Sequence, residues 1–288
     1  MAKILDGKII KEEGLQRLKS EIAKLSKKPL LAIIQIDNRP DSTAYIAQKK
    51  KFGEAIGVDV WHIKLSPDVN QHDLLKEIVT LNNDPVVTGI IIQIPIPAHL
   101  NRDIIINHIA PGKDVDGLTK SSVEKLVRGE NDGLIPATTR GIMTMLDYYA
   151  IPLKGTAVAV LGRSDLVGKP TARALKNRGA IVTVCHSQTL NTQEITRTSS
   201  IVVVAIGKPK FITKDYVSQG QVIIDVGINV AEKRLEEEIG GSGIVGDVDF
   251  DAVKDIVAAI SPVPGGVGQV TVLSLFENVL KAHLYANK

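Results

Sequence analysis

Cysteine occurs once in these 288 residues, at Cys185, so no disulfide can close within the chain and no cysteine cluster can hold a metal. Aromatic residues are nearly as scarce, at 3%. A stacking platform for nucleic acid needs several of them among its lysines and arginines, so that class is disfavoured. The core must instead be built from Ile, Val, Leu and Ala, a diet that suits parallel strands covered by helices. Long apolar runs are missing too: the stretch from Gly89 to Pro97 is far too short to span a bilayer. Met1 to Ile10 mixes polar and apolar residues and reads as neither a signal peptide nor an Arg-rich transit sequence, so the cytosol is the expected compartment. Neither sign of charge dominates, with 35 Lys and Arg against 32 Asp and Glu, a formal +3. The longest basic run, Lys49-Lys50-Lys51, reads as solvated surface. Such a mild balance suits an anionic small molecule and gives no reason to expect a nucleic-acid or membrane partner.

What is present is ordinary globular composition, 44% hydrophobic and 23% charged, at a length that suits two domains. Short apolar runs predict buried strands at 30–36, 89–94, 157–161, 181–185, 201–206 and 222–226. Between them, helical spacing appears at 42–56, 71–81 and 169–178. Strands alternating with helices predict an α/β fold with a parallel sheet. A boundary is expected at 137–153, where Thr138 or Thr139 could cap a helix through Met143 and Leu146 that stops before Pro152. A last helix, from about Thr271 to Tyr285, carries Val272, Leu275, Phe276, Val279 and Leu280 on one face and could return to the first domain. The expected division is therefore residues 1–138 plus 270–288 as one domain, and 139–269 as a Rossmann-like domain.

The segment Val158 to Pro170 reads as strand, glycine turn and helix start, with Gly162 for a tight turn and Gly168 for close approach to a phosphate. Its spacing is not G-x-G-x-x-G, so the glycines alone are also compatible with an ordinary βα turn. The next strand decides more. An NAD site would end it in Asp or Glu for the ribose hydroxyls, yet Ile181–Cys185 runs into His186-Ser187-Gln188-Thr189. With Arg163 and Ser164 in the first turn, a cation and hydroxyls suit a 2′-phosphate, and the cofactor expected is NADP. Two more strands end in glycine turns at the sheet edge where nucleotides lie, at Gly207 and at Gly227-Ile228.

Three features of the first domain look chemical. Ser42, Tyr45 and Lys49 share a helix face, and a Tyr–Lys pair at i, i+4 could move a proton if it faces a cleft; a solvated lysine is the plainer alternative. Gln93 places an amide in an apolar strand, where it must find partners, and Pro95 and Pro97 end that strand beside it. Lys113-Asp114-Val115-Asp116-Gly117 is either turn chemistry or a carboxylate aimed at an aminopyrimidine edge; no third ligand at sensible spacing supports a metal.

Five segments together carry a resemblance: Asp41 through Tyr45 to Lys49, Ile92-Gln93 to Pro97, Lys113 to Gly117, Gly162 to Pro170, and Pro262 to Gly268. In this order the chain resembles the bifunctional methylenetetrahydrofolate dehydrogenase/methenyltetrahydrofolate cyclohydrolase family over about residues 40 to 275. The resemblance implies two domains with a catalytic cleft between them, a homodimer, and a place in one-carbon metabolism that feeds purine biosynthesis. It implies Tyr45, Lys49, Gln93 and Asp116 as the catalytic folate set, Pro264, Gly265 and Gly266 as further substrate contacts, and Arg163, Ser164 and Ser187 on the NADP phosphates. Two departures stand out: Thr139 where the family has Pro, and Gln269-Val270 where it has Pro-Met. Rival readings are a dehydrogenase without cyclohydrolase activity, a shikimate-type dehydrogenase and a non-catalytic nucleotide sensor.

Overall fold

The structure is a computed structural model that describes residues 1–37, 39–130, 133–230 and 243–287; the Asp41 side chain lies outside the description. In chain order the first elements are β1 (Lys3–Ile4), α1 (Gly7–Ile22), β2 (Leu30–Gln35), α2 (Pro40–Ile56), β3 (Asp59–Lys64), α3 (Gln71–Asn83) and β4 (Gly89–Ile92). Next come α4 (Arg102–Asn107), α5 (Lys120–Arg128), α6 (Ala137–Tyr148), β5 (Ala157–Leu161), α7 (Gly168–Asn177), β6 (Ile181–Cys185), α8 (Thr192–Thr198) and β7 (Ile201–Val204). The rest are β8 (Val222–Asp225), β9 (Asn229–Val230), β10 (Ile244–Val245), α9 (Phe250–Val253), β11 (Ala259–Ile260) and α10 (Val267–Ala286). They fall into two compact units, residues 1–11 with 138–271 and residues 12–137 with 272–288.

The 12–137 unit is built on a parallel sheet of order β3-β2-β4. All six residues of β2 are buried, because helices cover both faces of the central strand, so no polar–apolar alternation is visible in its sequence. Its core joins Ala32, Ile34 and Ile36 to Ile90 and Ile92 and to Leu74, Ile78 and Leu81 of α3. Local chemistry marks the helix ends. Pro40 opens α2 with its fixed φ, and Gly57, at φ +85°, closes it. Asn70 and Thr119 cap α3 and α5 by accepting from the N–H groups of Asp73 and Ser122.

The other unit carries a parallel sheet of order β1-β11-β8-β7-β5-β6, with a core of Leu161, Val202, Val204, Ile223, Val253 and Ile260. From β5 the chain crosses to β6 on one side and then returns to β7 on the other. That reversal makes a switch point between β5 and β7, where the carboxyl ends of parallel strands leave a crevice.

Two expectations need correction. The N-terminal segment belongs to the six-stranded sheet, since Lys3 and Ile4 pair with Ala259 and Ile260, so residues 1–11 leave the domain expected to hold them. A two-residue strand has no periodicity to read, and only its long-range pairing defines it. In addition, α6 starts at Ala137, so Thr138 and Thr139 lie inside the helix rather than capping it; the Thr139 hydroxyl is fully buried against that of Thr171, 3.1 Å away. The edge strand β3 also escapes the apolar-run criterion, because Asp59, His62 and Lys64 interrupt its six-residue register with β2.

Candidate active site

The site in the 12–137 unit starts from a braced helix end. The Asp37 carboxylate accepts from Ser42 Oγ at 2.7 Å, Gln35 Nε2 at 2.9 Å and the Arg39 N–H at 3.1 Å. Gln35, fully buried, uses its carbonyl oxygen to accept from His62 Nε2 at 2.8 Å. Ser42 therefore anchors the start of α2 to Asp37. One and two turns further along stand Tyr45 and Lys49, four residues apart on the same helix face.

Gln93 sits immediately after β4, where its N–H still donates to Ile34 O at 2.8 Å. Its side-chain amide donates to Ile94 O at 3.0 Å, which turns the carbonyl oxygen toward Lys49, and Lys49 Nζ donates to that oxygen at 2.9 Å. Strand end and helix thus converge on one amine.

The two aspartates of the 113–117 loop divide the work. Asp114 is buried and accepts from the Leu118 and Thr119 N–H groups and from Ser122 Oγ, at 3.1, 2.8 and 2.6 Å. It is turn chemistry. Asp116, two residues on, lies close enough to Lys49 for their charges to act on each other. Its loop is clamped on both sides. Gly117, at φ +69°, packs against the backbone of residues 134–136, where a Cβ would collide. Asn278 of α10, fully buried, donates to Val115 O at 2.9 Å and to Ile135 O at 2.8 Å. Burial lowers the Lys49 pKa, with the Asp116 charge opposing; burial raises Asp116, against Lys49 and with help from Asp114. Burial thus pushes both groups toward their neutral forms, and a lysine in its neutral form can accept a proton.

The six-stranded unit holds the nucleotide candidates. Gly162, at φ +112°, and Gly168 close the first turn: a Cβ on Gly162 would run into Ala205 O, and one on Gly168 into Gly162 O. Only a chain without those side chains can bring the ends of β5 and β7 and the start of α7 together. Ser164 Oγ accepts from the N–H groups of Val167 and Gly168 at 3.2 and 3.3 Å, which leaves its own proton to donate. Arg163 and Ser164 are exposed in this turn, and Ser187 is exposed after β6. His186 Nδ1 accepts from the Gln188 N–H at 3.2 Å, so in the neutral ring Nε2 carries the proton. The fit to a dinucleotide rests on this cradle and on a donor set that presents a guanidinium and hydroxyls where an NAD site would present a carboxylate. Gly207, at φ +66°, and Gly227 follow β7 and β8, with Ile228 half exposed beside them.

Pro264, Gly265 and Gly266 lie in the six-stranded unit, whereas Tyr45, Lys49, Gln93 and Asp116 lie in the other. Gly265, at φ +114°, accepts through its carbonyl from the Gly7 N–H at 2.9 Å, and a Cβ on Gly7 would strike Gly266 O. The loop is thus fixed by the start of α1. Both departures from the family pattern have local partners: Thr139 pairs with Thr171, and Gln269 Oε1 accepts from Lys11 Nζ at 3.0 Å. Sequence reasoning passed over Asp37, Asn278 and Asp247. None stands in an apolar run as Gln93 does, since Asp37 precedes Asn38-Arg39, Asn278 follows Glu277 and Asp247 follows Gly246, so only the fold marks them.

Comparison with known proteins identifies the family. Residues 5–116 match the tetrahydrofolate dehydrogenase/cyclohydrolase catalytic domain, and residues 136–287 match the NAD(P)-binding domain of the same family. The chain is 40% identical over 284 residues to the bifunctional protein FolD of Halalkalibacterium halodurans, covering 98% of each chain. It superposes on the bifunctional FolD methylenetetrahydrofolate dehydrogenase/cyclohydrolase of Campylobacter jejuni with a TM-score of 0.93 at 37% identity, covering 99% of this chain and all of that one. The Trypanosoma brucei methylenetetrahydrofolate dehydrogenase-cyclohydrolase, solved with NADP and an inhibitor, gives a TM-score of 0.93 at 33% identity, covering 100% of this chain and 99% of that one. With both domains matched and the amine, amide and carboxylate brought to one place, the chain belongs to the tetrahydrofolate dehydrogenase/cyclohydrolase family and is a methylenetetrahydrofolate dehydrogenase and methenyltetrahydrofolate cyclohydrolase of one-carbon metabolism.

Proposed function

We propose that Lys49, Tyr45, Gln93 and Asp116 carry the folate chemistry, and that Gly162, Arg163, Ser164, Gly168, Ser187, Gly207, Gly227 and Ile228 bind the cofactor, NADP. The observation that carries this reading is the Lys49–Gln93 hydrogen bond of 2.9 Å with Asp116 in electrostatic range.

NADP, when bound, supplies the acceptor for a hydride from the methylene carbon of 5,10-methylenetetrahydrofolate. Arg163 and Ser187 would hold its 2′-phosphate with a cation and a hydroxyl, and Ser164, with its proton free to donate, would hold a further phosphate. In the folate unit, Asp116 accepts from the aminopyrimidine edge of the pterin, whose paired N–H donors favour the carboxylate over the acid that burial alone favours. Gln93 holds Lys49 by accepting from its amine, and Tyr45 orders the proton path. Ring opening then adds water to the methenyl carbon, with one water proton passing to neutral Lys49. The carbon–N5 bond breaks as the hydroxyl of the adduct becomes the formyl carbonyl and gives up its remaining proton to solvent; the proton held by Lys49 reaches N5, and 10-formyltetrahydrofolate leaves. Pro264, Gly265 and Gly266 are proposed as further substrate contacts.

The domain division that accompanies this function is a folate-binding part and an NADP-binding part. A homodimer in the cytoplasm, supplying formyl groups for purine synthesis, completes the proposal. Edge strand β3 supports the dimer: among the described residues it pairs with β2 alone, and it exposes 44% of Trp61. No helix among the described residues is long and apolar enough to cross a membrane.

The test is direct. Purified protein given methylenetetrahydrofolate and NADP⁺ should form NADPH, and the methenyl absorbance should then decay. NADPH formation with a methenyl species that persists at the buffer rate leaves only the dehydrogenase. No NADPH with either nicotinamide cofactor removes the proposal.

A further inference from the structure

Outside the residues already assigned, the densest buried polar cluster in the six-stranded unit centres on Asp247, just after β10. Its side chain is fully buried, and both oxygens are occupied. Oδ2 accepts from the N–H groups of Ile206 and Gly207 at 2.7 and 2.9 Å. Oδ1 accepts from the Lys208 N–H and from Asn229 Nδ2, each at 2.9 Å. One carboxylate therefore gathers three successive backbone donors of the loop after β7 and the side chain of the first residue of β9.

Asp247 is itself held. Its N–H donates to Asp225 Oδ1 at 3.1 Å, and Asp225, the last residue of β8, also accepts from the N–H groups of Gly227 and Val248 at 2.9 and 3.0 Å. Two glycines make room: a Cβ on Gly227 would strike the Asp247 carboxylate, and one on Gly246 the Asp225 carboxylate.

The loop so gathered matters because of where it stands. It leaves β7 across the switch point from Gly162, whose Cα backs onto Ala205 O. The crevice between these strand ends is where a dinucleotide lies in a sheet of this topology. A loop of three consecutive inward-turned N–H groups has no helix or sheet of its own to fix it, so without the carboxylate its donors would turn to water.

We propose that Asp247 is a positioning residue for the dinucleotide: through residues 206–208 and Asn229 it sets one wall of the cofactor crevice without touching the cofactor. This rests on the reading that the cofactor occupies the β5–β7 switch point. Asp247→Asn keeps the size but turns an N–H₂ group toward donors, the Ile206 and Gly207 N–H groups in one orientation or the Lys208 N–H and the Asn229 amide in the other, so bonds to the loop are lost either way. Calorimetric titration of the purified enzyme with NADP⁺ alone should then show Kd raised about tenfold or more, and the KM for NADP⁺ should rise in step while kcat at saturating cofactor stays within about threefold. A merely structural brace predicts the opposite split, a smaller active fraction and lower kcat with Kd and KM unchanged; that result overturns the inference. If Asp247→Asn fails to fold, Asn229→Ala decides: it removes one donor from Asp247 and should raise Kd about threefold, whereas an unchanged Kd overturns the inference. Arg163→Ala, titrated alongside, keeps the two readings apart. An NADP⁺ affinity indifferent to Arg163 removes the crevice assignment itself, while a normal loss at Arg163 beside indifference at position 247 overturns only the positioning role.

Discussion

Replacing Lys49 by Gln tests the assignment of the proton-transfer step. The amine donates to Gln93 Oε1 at 2.9 Å, and that oxygen is fixed by the bond from Gln93 Nε2 to Ile94 O at 3.0 Å. Both ammonium and neutral amine can donate to it, so the contact survives titration and only the neutral form keeps a lone pair for the substrate. An ordinary lysine, near 10.5, would be about one part in 10³ neutral at pH 7; burial lowers that value and enlarges the competent fraction. Gln at position 49 can still meet Gln93 but cannot accept a proton. Loss of a positioned general base typically costs 10²–10⁴-fold, so cyclohydrolase activity should fall by about 10²-fold or more while a measurable dehydrogenase rate persists. Both reactions are followed on one preparation, with NADP⁺ affinity as the check on folding. In the wild type the cyclohydrolase rate should rise with pH through the lowered pKa of Lys49, and this limb should vanish in Lys49→Gln. Unchanged cyclohydrolase activity would remove the proton role from Lys49, and equal loss of both activities would make it a positioning group.

Asp116→Ala should raise the folate KM or abolish turnover with NADP⁺ affinity intact, measured by paired kinetics and titration; normal turnover would reduce the 113–117 loop to turn chemistry. Arg163→Ala should weaken NADP⁺ selectively, shrinking its kcat/KM advantage over NAD⁺ by about tenfold, or 1.4 kcal/mol; equal losses for both cofactors would show that Arg163 does not read the 2′-phosphate. Gly168→Ala puts a Cβ against Gly162 O, and a shifted α7 start should cost both NADP⁺ affinity and thermal stability, an expectation refuted by a wild-type melt and titration. Asp225 is pushed up to about 6 by burial, despite three backbone N–H donors that favour its anion. Its folded pKa lies above the unfolded 3.8, so its contribution to stability is present below pH 3.8 and lost as pH rises through about 6, a change of at most about 3 kcal/mol. Urea melts of Asp225→Asn and wild type at pH 4.5 and 7.5 should therefore show the difference moving in favour of Asn at the higher pH; the fixed packing cost of the amide cancels, and a pH-independent difference refutes the shift.

The strongest parts of the sequence pattern are those in which one segment decides its own state. The run Leu30–Gln35 is buried throughout, as its unbroken apolar character predicts for a central strand; Ala157–Leu161 and Ile181–Cys185 also appear with the expected bounds, although Ile181–Cys185 is the sheet edge and only its last residue is buried. Gly162 and Gly168 were readable as close-approach positions because the constraint is local backbone sterics. Gln93 announced itself as an amide among isoleucines. The tertiary structure alone decided which carboxylate of the 113–117 loop is spent on its own turn, since Asp114 and Asp116 differ only in the donors that the fold brings to the first. It gave Ser42 a partner in Asp37, and it assigned Lys3–Ile4 to the six-stranded sheet through a pairing that spans most of the chain. It also gave Lys49 its altered titration and Asp247 its four donors. Burial and long-range hydrogen bonds depend on residues far apart in sequence, so no window of neighbours encodes them; periodicity and sterics, which do fit inside a window, are what the sequence by itself determined.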